Sequence, residues 1–422
     1  MSDDSGPAPL PSASPRAGSL LRNHHGGHAQ VSYIELFFDL VYVFAITQVS
    51  HTLHQGLDAL GLARTALLFF AVWWAWIYTV WAANWADPAR TPVRIMLLAG
   101  MLASLLIAVA LPEAFGHGAQ DRGALFVGAY VTLQIGRTLF MAWAMGRENP
   151  AGMRNMLRIT AWFALSAPFW LMGALADPAG ARLGWWLAAV AIEYAGPLAW
   201  FRTPGLGRSV AQDWDISGAH MAERGALFVL IALGEGIVAT GASFAALPAS
   251  PATTTAFVIN FAGSALMWWI YFAIGAERGA EHIAGHAEAG KVARSAYTYL
   301  HMPIAGGIVV TAVADALLLA EPNVPATTAL IATQCGGTVL FLVGTGLFKR
   351  FASPHRNFPL SHLIGVGGLA LLALAARPLH LSAGALAASV VVALLIVALW
   401  EWRSFHGGWR RAVAADPVTT AL

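Results

Sequence analysis

Charge is scarce in this chain, and cysteine almost absent. Asp, Glu, Lys and Arg supply 11% of the 422 residues and hydrophobic residues 58%, against about 25% charged residues in ordinary soluble domains. A soluble globular protein needs a charged surface, so that class is excluded. The single cysteine, Cys335, rules out an internal disulfide and says little about redox compartment. A formal net charge of +2 leaves neither the basic footprint of a nucleic-acid binder nor an acidic tail, and no nucleic-acid partner is expected. Soluble-enzyme signatures are missing as well: no phosphate loop, no G-x-S-x-G, no H-E-x-x-H and no paired cysteines. Without a nucleotide-binding domain, ATP-driven transport within the chain is not expected. No metal site and no cofactor are implied.

Long apolar runs take the place of these features. Stretches able to cross about 30 Å of hydrocarbon fall near residues 34–53, 62–83, 93–112, 124–145, 156–176, 183–202, 225–245, 256–275, 296–317, 325–348, 359–378 and 383–402. The fold class expected is all-α integral membrane, with about twelve transmembrane helices and membrane lipids as surroundings. Residues 1–30 are rich in Pro, Ser, Gly and Ala and lack an apolar signal core, so they read as a disordered cytoplasmic arm. The cluster His24, His25 and His28 in that arm reads as solvated rather than metal-binding. The membrane domain runs over 31–405 and a short cytoplasmic tail over 406–422.

Basic residues sort unevenly over the loops these spans define. Of 24 Lys and Arg, nineteen fall on the side of the N-terminus, only Arg64, Arg122, Arg182 and Arg377 fall opposite, and Arg137 lies inside the fourth span. An excess of Lys and Arg marks cytoplasmic loops, so both termini are expected in the cytoplasm. Two halves, 31–205 and 215–405, also look alike. The first and seventh spans each begin with an acid, Glu35 and Glu223, and the second and eighth each contain W-I-Y, at Trp76 to Tyr78 and Trp269 to Tyr271. The offsets, 188 and 193 residues, nearly agree and suggest a six-plus-six parallel repeat, although evenly spaced helices give similar offsets by chance.

Acids inside hydrocarbon demand a reason, because each costs roughly 2.5 to 3.5 kcal/mol at mid-helix on insertion scales. Glu35 and Asp39, at i and i+4, share one helix face. Two carboxylates so close require a cation or Arg between them, or one proton kept; the alternative is a pair of helix-start acids reaching the interface. Glu235, between Gly234 and Gly236 in L-G-E-G-I, sits near mid-membrane and is the best single candidate for carrying a proton or cation. Its alternative is a fixed ion pair with Arg137. Glu193 lies four residues before Pro197, which strips its carbonyl of a helical donor and would cluster oxygens for a cation, or be an ordinary membrane proline kink. Asp315 and Glu113 fall near outer helix ends and need no special account. Trp73, Trp74 and Trp76 read as packing residues with indole N–H groups offered to neighbours. Asp87, Arg90 and Arg94 read as a loop salt bridge.

E-L-F-F-D-L-V-Y-V-F-A-I-T-Q-V-S-H, N-W-A-D-P-A-R and H-M-A-E-R-G-A-L-F-V-L-I-A-L-G-E-G-I-V-A resemble the bacterial low temperature requirement protein A family, over about Ser32 to Trp402. The resemblance implies a polytopic bacterial inner-membrane protein, named for a cold-growth phenotype and without a secure molecular activity. Motif positions carried over are Glu35, Asp39, His220, Glu223, Arg224 and Glu235. Gly236 stands where the family usually has a small polar residue, so a hydroxyl ligand is missing there. The function expected is an ion- or proton-coupled secondary transporter of a small solute or ion. A channel, a membrane-embedded lipid-modifying enzyme and a non-catalytic stress or assembly component remain as alternatives.

Overall fold

An apolar run in lipid has to satisfy its backbone polar groups within itself, and the α-helix does so residue by residue. The computed structural model of the protein describes residues 19–22, 31–176, 179–210, 213–214, 216–248, 250–273, 294–352 and 357–405. Among them are twelve long α-helices and no strand. In chain order they are α1 (Tyr33–Gln55), α2 (Ala59–Trp85), α3 (Thr91–Ala110), α4 (Gly123–Met145), α5 (Pro150–Leu175) and α6 (Ala179–Leu198). The second set is α7 (Gly218–Ala246), α8 (Pro251–Tyr271), α9 (His301–Ala320), α10 (Thr328–Phe351), α11 (Leu360–Ala376) and α12 (Ala383–Phe405). Helix starts follow capping chemistry: Asp58, Asn149, Ser217, Ser250 and Thr327 each accept a first-turn N–H, which satisfies a donor the helix itself leaves orphaned.

Eight helical segments among the described residues are long and apolar enough to cross a membrane, and α11 is a shorter apolar helix. The others are diluted: α5 carries Arg154, Asn155 and Arg158, and α8 opens on P-A-T-T-T. Two boundaries matter for the site. α7 begins at Gly218 rather than near residue 225, which brings Arg224 into the helix. The run ahead of α9 is a π-helix over Arg294–Leu300 that continues directly into it.

α1 packs on α3, α3 on α4, α4 on α5 and α5 on α6; α7 packs on α9, α9 on α10, α10 on α11 and α11 on α12. The two sets meet where α1 touches α7 and α9. Enclosed between them is α2, whose Trp73, Trp74 and Trp76 are fully buried. Trp73 donates to Thr298 O at 2.8 Å and Trp76 to Asp39 at 2.9 Å, while Trp74 Nε1 has no partner. The α9–α10 contact is set by glycine, because a Cβ added at Gly307 would lie 2.5 Å from Phe341 N and 2.7 Å from Gly337 O. Small residues of this kind let helix backbones approach in a membrane.

Of the segment expected to be a solvated arm, residues 19–22 are docked. Leu21 bridges to Ala86, Arg22 N donates to Trp85 O and Asp87 N to Leu20 O. His24, His25, His28 and the tail 406–422 lie outside the described residues.

Candidate functional site

Four of the residues singled out from the sequence converge where α1 meets α7. Glu35 and Asp39 face α7 from the first turns of α1, and His220 and Arg224, one turn apart on α7, face back. Arg224 joins the two acids: Nη1 is 3.2 Å from Glu35 Oε1 and Nη2 is 2.6 Å from Asp39 Oδ1. The cation required between two neighbouring carboxylates is therefore this arginine, not a loop residue as the charge tally had it. Arg22 closes the cluster from the N-terminal side, with Nη2 2.7 Å from Glu35 Oε2, and Ser32 donates to the same oxygen through N and Oγ. Glu35 is fully buried and Asp39 nearly so; neither reaches out to the interface.

The hydrogen-bond pattern also sets the histidine's form. Asn84 accepts from Ser217 N through Oδ1 and donates to Ser217 O through Nδ2, both at 3.1 Å, which fixes the orientation of its amide. Its Nδ2 is then the donor to His220 Nδ1 at 3.1 Å. A ring nitrogen that accepts carries no hydrogen, so the other nitrogen, Nε2, holds the proton and gives it to Glu35 Oε1 at 2.7 Å. With His220 neutral, Arg22 and Arg224 balance Glu35 and Asp39, and the cluster is closed in charge. Glu223, one residue before Arg224, is half-buried and accepts from Val31 N at 3.3 Å.

Arg137 and Glu193 are tied together instead of Arg137 and Glu235. Arg137, buried in α4, donates to Thr79 Oγ1, to Ala75 O on α2 and to Gln134 Oε1. Gln134 Nε2 donates to Tyr130 OH at 3.1 Å, and Tyr130 donates to Glu193 Oε2 at 2.6 Å. Trp170 on α5 donates to Glu193 Oε1 at 2.8 Å, and Ser166 lies 2.8 Å from the same oxygen, with its one hydrogen shared between that carboxylate and Phe163 O at 3.0 Å. Among the described residues, the partners of Glu193 are therefore hydrogen-bond donors, and of the two readings of this site the cation pocket beside Pro197 is the one they do not favour.

A second buried base-and-acid cluster lies in the other half, on residues the sequence did not single out. Lys349 on α10 donates to Ile270 O on α8 at 2.9 Å and pairs with Glu401 on α12 at 2.6 Å. Ser361 and His362 on α11 contact the same carboxylate, His362 Nδ1 at 3.2 Å. The signal in the sequence is slight: Lys349 follows the apolar run 325–348, and Glu401 stands near the end of the last run, two residues before Arg403. Arg182, also assigned to a loop, is buried and forks onto Asp121, with Nη1 at 2.8 Å and Nη2 at 2.6 Å. In the loop after α2, Arg90 pairs with Asp87 at 3.4 Å, and Arg94 donates to Pro88 O.

Glu235 stands apart from all of these. It is 4% exposed, lies on α7 where that helix faces α1, and has the hydroxyl of Thr47 as its partner; Oε2 has none. Thr47 also donates to Val43 O at 3.0 Å. A hydroxyl has one hydrogen, so when Val43 receives it, the Thr47 oxygen can only accept, and the contact is satisfied when Glu235 carries a proton. No cationic side chain among the described residues pairs with Glu235. Asp315, expected at a helix end, is buried as well.

Apolar helices long enough to cross a bilayer, with ion pairs enclosed between them, define a multi-pass membrane protein. Its family is shown by sequence: residues 30–399 match the model of the bacterial low temperature requirement A protein family, and the chain belongs to that family. It is 39% identical over 397 residues to "Uncharacterized protein RA0937" of Rhizobium meliloti (strain 1021), an alignment that spans 92% of this chain and 94% of that protein. No solved structure matches the chain.

Proposed function

We propose that the protein is a proton- or ion-coupled secondary transporter of the bacterial inner membrane, with twelve spans in two six-helix halves and both termini cytoplasmic. Glu235 carries this reading. A buried acid at the seam between two halves, held by one hydroxyl and facing no cation, can exchange a proton as that seam opens to either side. The acids at the other end of the seam are occupied: Glu35 and Asp39 already bind Arg22, Arg224, His220 and Trp76. They serve as a clasp between halves and leave little for the divalent metal that a lipid-modifying enzyme would want there.

The repeat gains support from the two base-and-acid clusters. In each half a base on the fourth helix donates to a carbonyl of the second helix close to W-I-Y, at Ala75 just before the motif or at Ile270 within it. It connects to an acid of the sixth helix, Glu193 or Glu401, which a serine of the fifth helix contacts, Ser166 or Ser361. The cytoplasmic placement of the termini rests on the basic loops; withdrawing Arg224, Lys349 and Arg182, each paired with an acid from within a helix, leaves seventeen against three.

Proteoliposomes with a pH-sensitive dye inside test the function. Solute and cation gradients imposed one at a time should drive proton movement in the unmodified protein for one of them. Glu235→Gln should abolish that movement while the protein stays folded. Unchanged coupled flux in Glu235→Gln removes the assignment, and current that persists without a counter-gradient makes the protein a channel.

A further inference from the structure

Four helices of the second half, α8, α9, α10 and α12, enclose a cavity of about 20 Å³ whose wall includes Asn260, Ser264, Thr311, Asp315, Gln334 and Thr338. That is room for one water-sized particle. Several oxygens around it have no hydrogen-bond partner among the described residues. Asp315 is 7% exposed, and its carboxylate has no hydrogen bond or ion pair with a described residue. Asn260 and Gln334 are 3% and 6% exposed, and Asn260 Oδ1 and Gln334 Oε1 are both unpartnered. The Asn260 amide is held by Nδ2, which donates to Asp315 O at 3.1 Å, so its oxygen is the free end. Thr311 and Thr338 give their hydroxyl hydrogens to Ile308 O at 2.8 Å and Gln334 O at 2.7 Å, and lone pairs remain.

Buried acceptors without donors are costly, and native structures rarely keep several together. No cationic side chain lines this cavity, so a counter-charge for an ionised Asp315 has to come from outside the chain. One carboxylate supplies one negative charge. A monovalent cation balances it, whereas a divalent one would leave a net charge buried in hydrocarbon. A donor set of oxygens without thiol or imidazole selects a hard cation, and a small set of oxygens suits sodium better than potassium, which takes a larger coordination shell.

We propose that this cavity binds one dehydrated sodium ion, ligated by the Asp315 carboxylate, Asn260 Oδ1, Gln334 Oε1 and the hydroxyl oxygens of Thr311 and Thr338. The binding site stands on the cavity alone. Its service as a coupling ion rests on the transporter reading, so the experiment measures binding and not flux, and a chain that transports nothing still gives a readable result.

The full chain, purified in detergent, is unfolded thermally across titrations of sodium, potassium and N-methylglucamine chlorides at constant ionic strength, with bound radioactive sodium counted in parallel. A saturable rise of the midpoint with sodium is expected, weaker with potassium and absent with N-methylglucamine, with one sodium bound per chain. Asp315→Asn keeps the shape, removes the charge and abolishes the sodium response. Gln334→Met keeps the volume, removes one ligand oxygen and weakens sodium binding roughly tenfold or more; it decides the matter if Asp315→Asn does not fold. A midpoint that rises equally with all three cations overturns the site. So does a full sodium response in folded Asp315→Asn, or unchanged affinity in Gln334→Met. Saturable calcium binding in place of sodium overturns the monovalent assignment.

Discussion

Replacing Arg224 with methionine tests the clasp between α1 and α7 most directly. The substitution keeps length and apolar volume but withdraws the charge that lies 2.6 Å from Asp39 and 3.2 Å from Glu35. Two unit charges about 4 Å apart attract by about 4 kcal/mol at an effective dielectric near 20, and breaking a buried pair from one side typically costs about 3–5 kcal/mol. The loss is unequal between the acids. Glu35 keeps Arg22, His220 and Ser32, whereas Asp39 keeps only the Trp76 indole at one oxygen, its Oδ2 having no partner. Arg224→Met should therefore destabilise the protein by about 3–5 kcal/mol, most of it through Asp39. Arg22→Met should cost about 1 kcal/mol, because Glu35 retains other donors. Adding Asp39→Asn to Arg224→Met should recover more than half of the loss. Denaturant unfolding of the purified chain in detergent, followed by tryptophan fluorescence, measures all four proteins. If Arg224→Met is no worse than Arg22→Met, or if Asp39→Asn rescues nothing, Arg224 is not the counter-ion of a buried Asp39.

The same unfolding assay reads two further changes. Glu193→Gln should cost about 2–3 kcal/mol, because one of the two oxygens that accept from Tyr130 and from Ser166 and Trp170 becomes an NH2 donor facing a donor, and Trp170→Phe should cost about 1 kcal/mol; equal effects would mean that these donors do not act on one carboxylate. Gly307→Ala should destabilise by about 1–3 kcal/mol by forcing α9 off α10. Gly336→Ala, where a Cβ meets nothing within 4 Å, should be close to neutral, and a neutral Gly307→Ala would show that the two helices are not in close contact.

How far the sequence reached depended on whether a property was local. The α-helices lie over the twelve apolar runs, because a run of twenty apolar residues satisfies its own backbone only as a helix. The family motif was legible at Glu35, Asp39, His220 and Arg224, and so was the demand for a cation between the first two. What went astray was the position of bases near helix ends. Arg224, Lys349 and Arg182 looked like loop residues by hydropathy, which cannot distinguish a charge facing water from one facing a buried acid a few residues inside the helix. Asp315 is buried although it lies toward a helix end, because burial depends on rotation about the helix axis as well as on depth along it.

The sequence by itself therefore determined that this is a helical membrane protein, where its helices run, which family it belongs to and which acids need an explanation. The pairings were decided by tertiary structure. Arg224 lies between Glu35 and Asp39, Arg137 joins Glu193 rather than Glu235 through Gln134 and Tyr130, Lys349 meets Glu401, and Glu235 meets Thr47. Periodicity places a side chain on one face of its own helix; the neighbour that face meets depends on how helices far apart in sequence are rotated and set in register, and that is settled by packing the whole bundle.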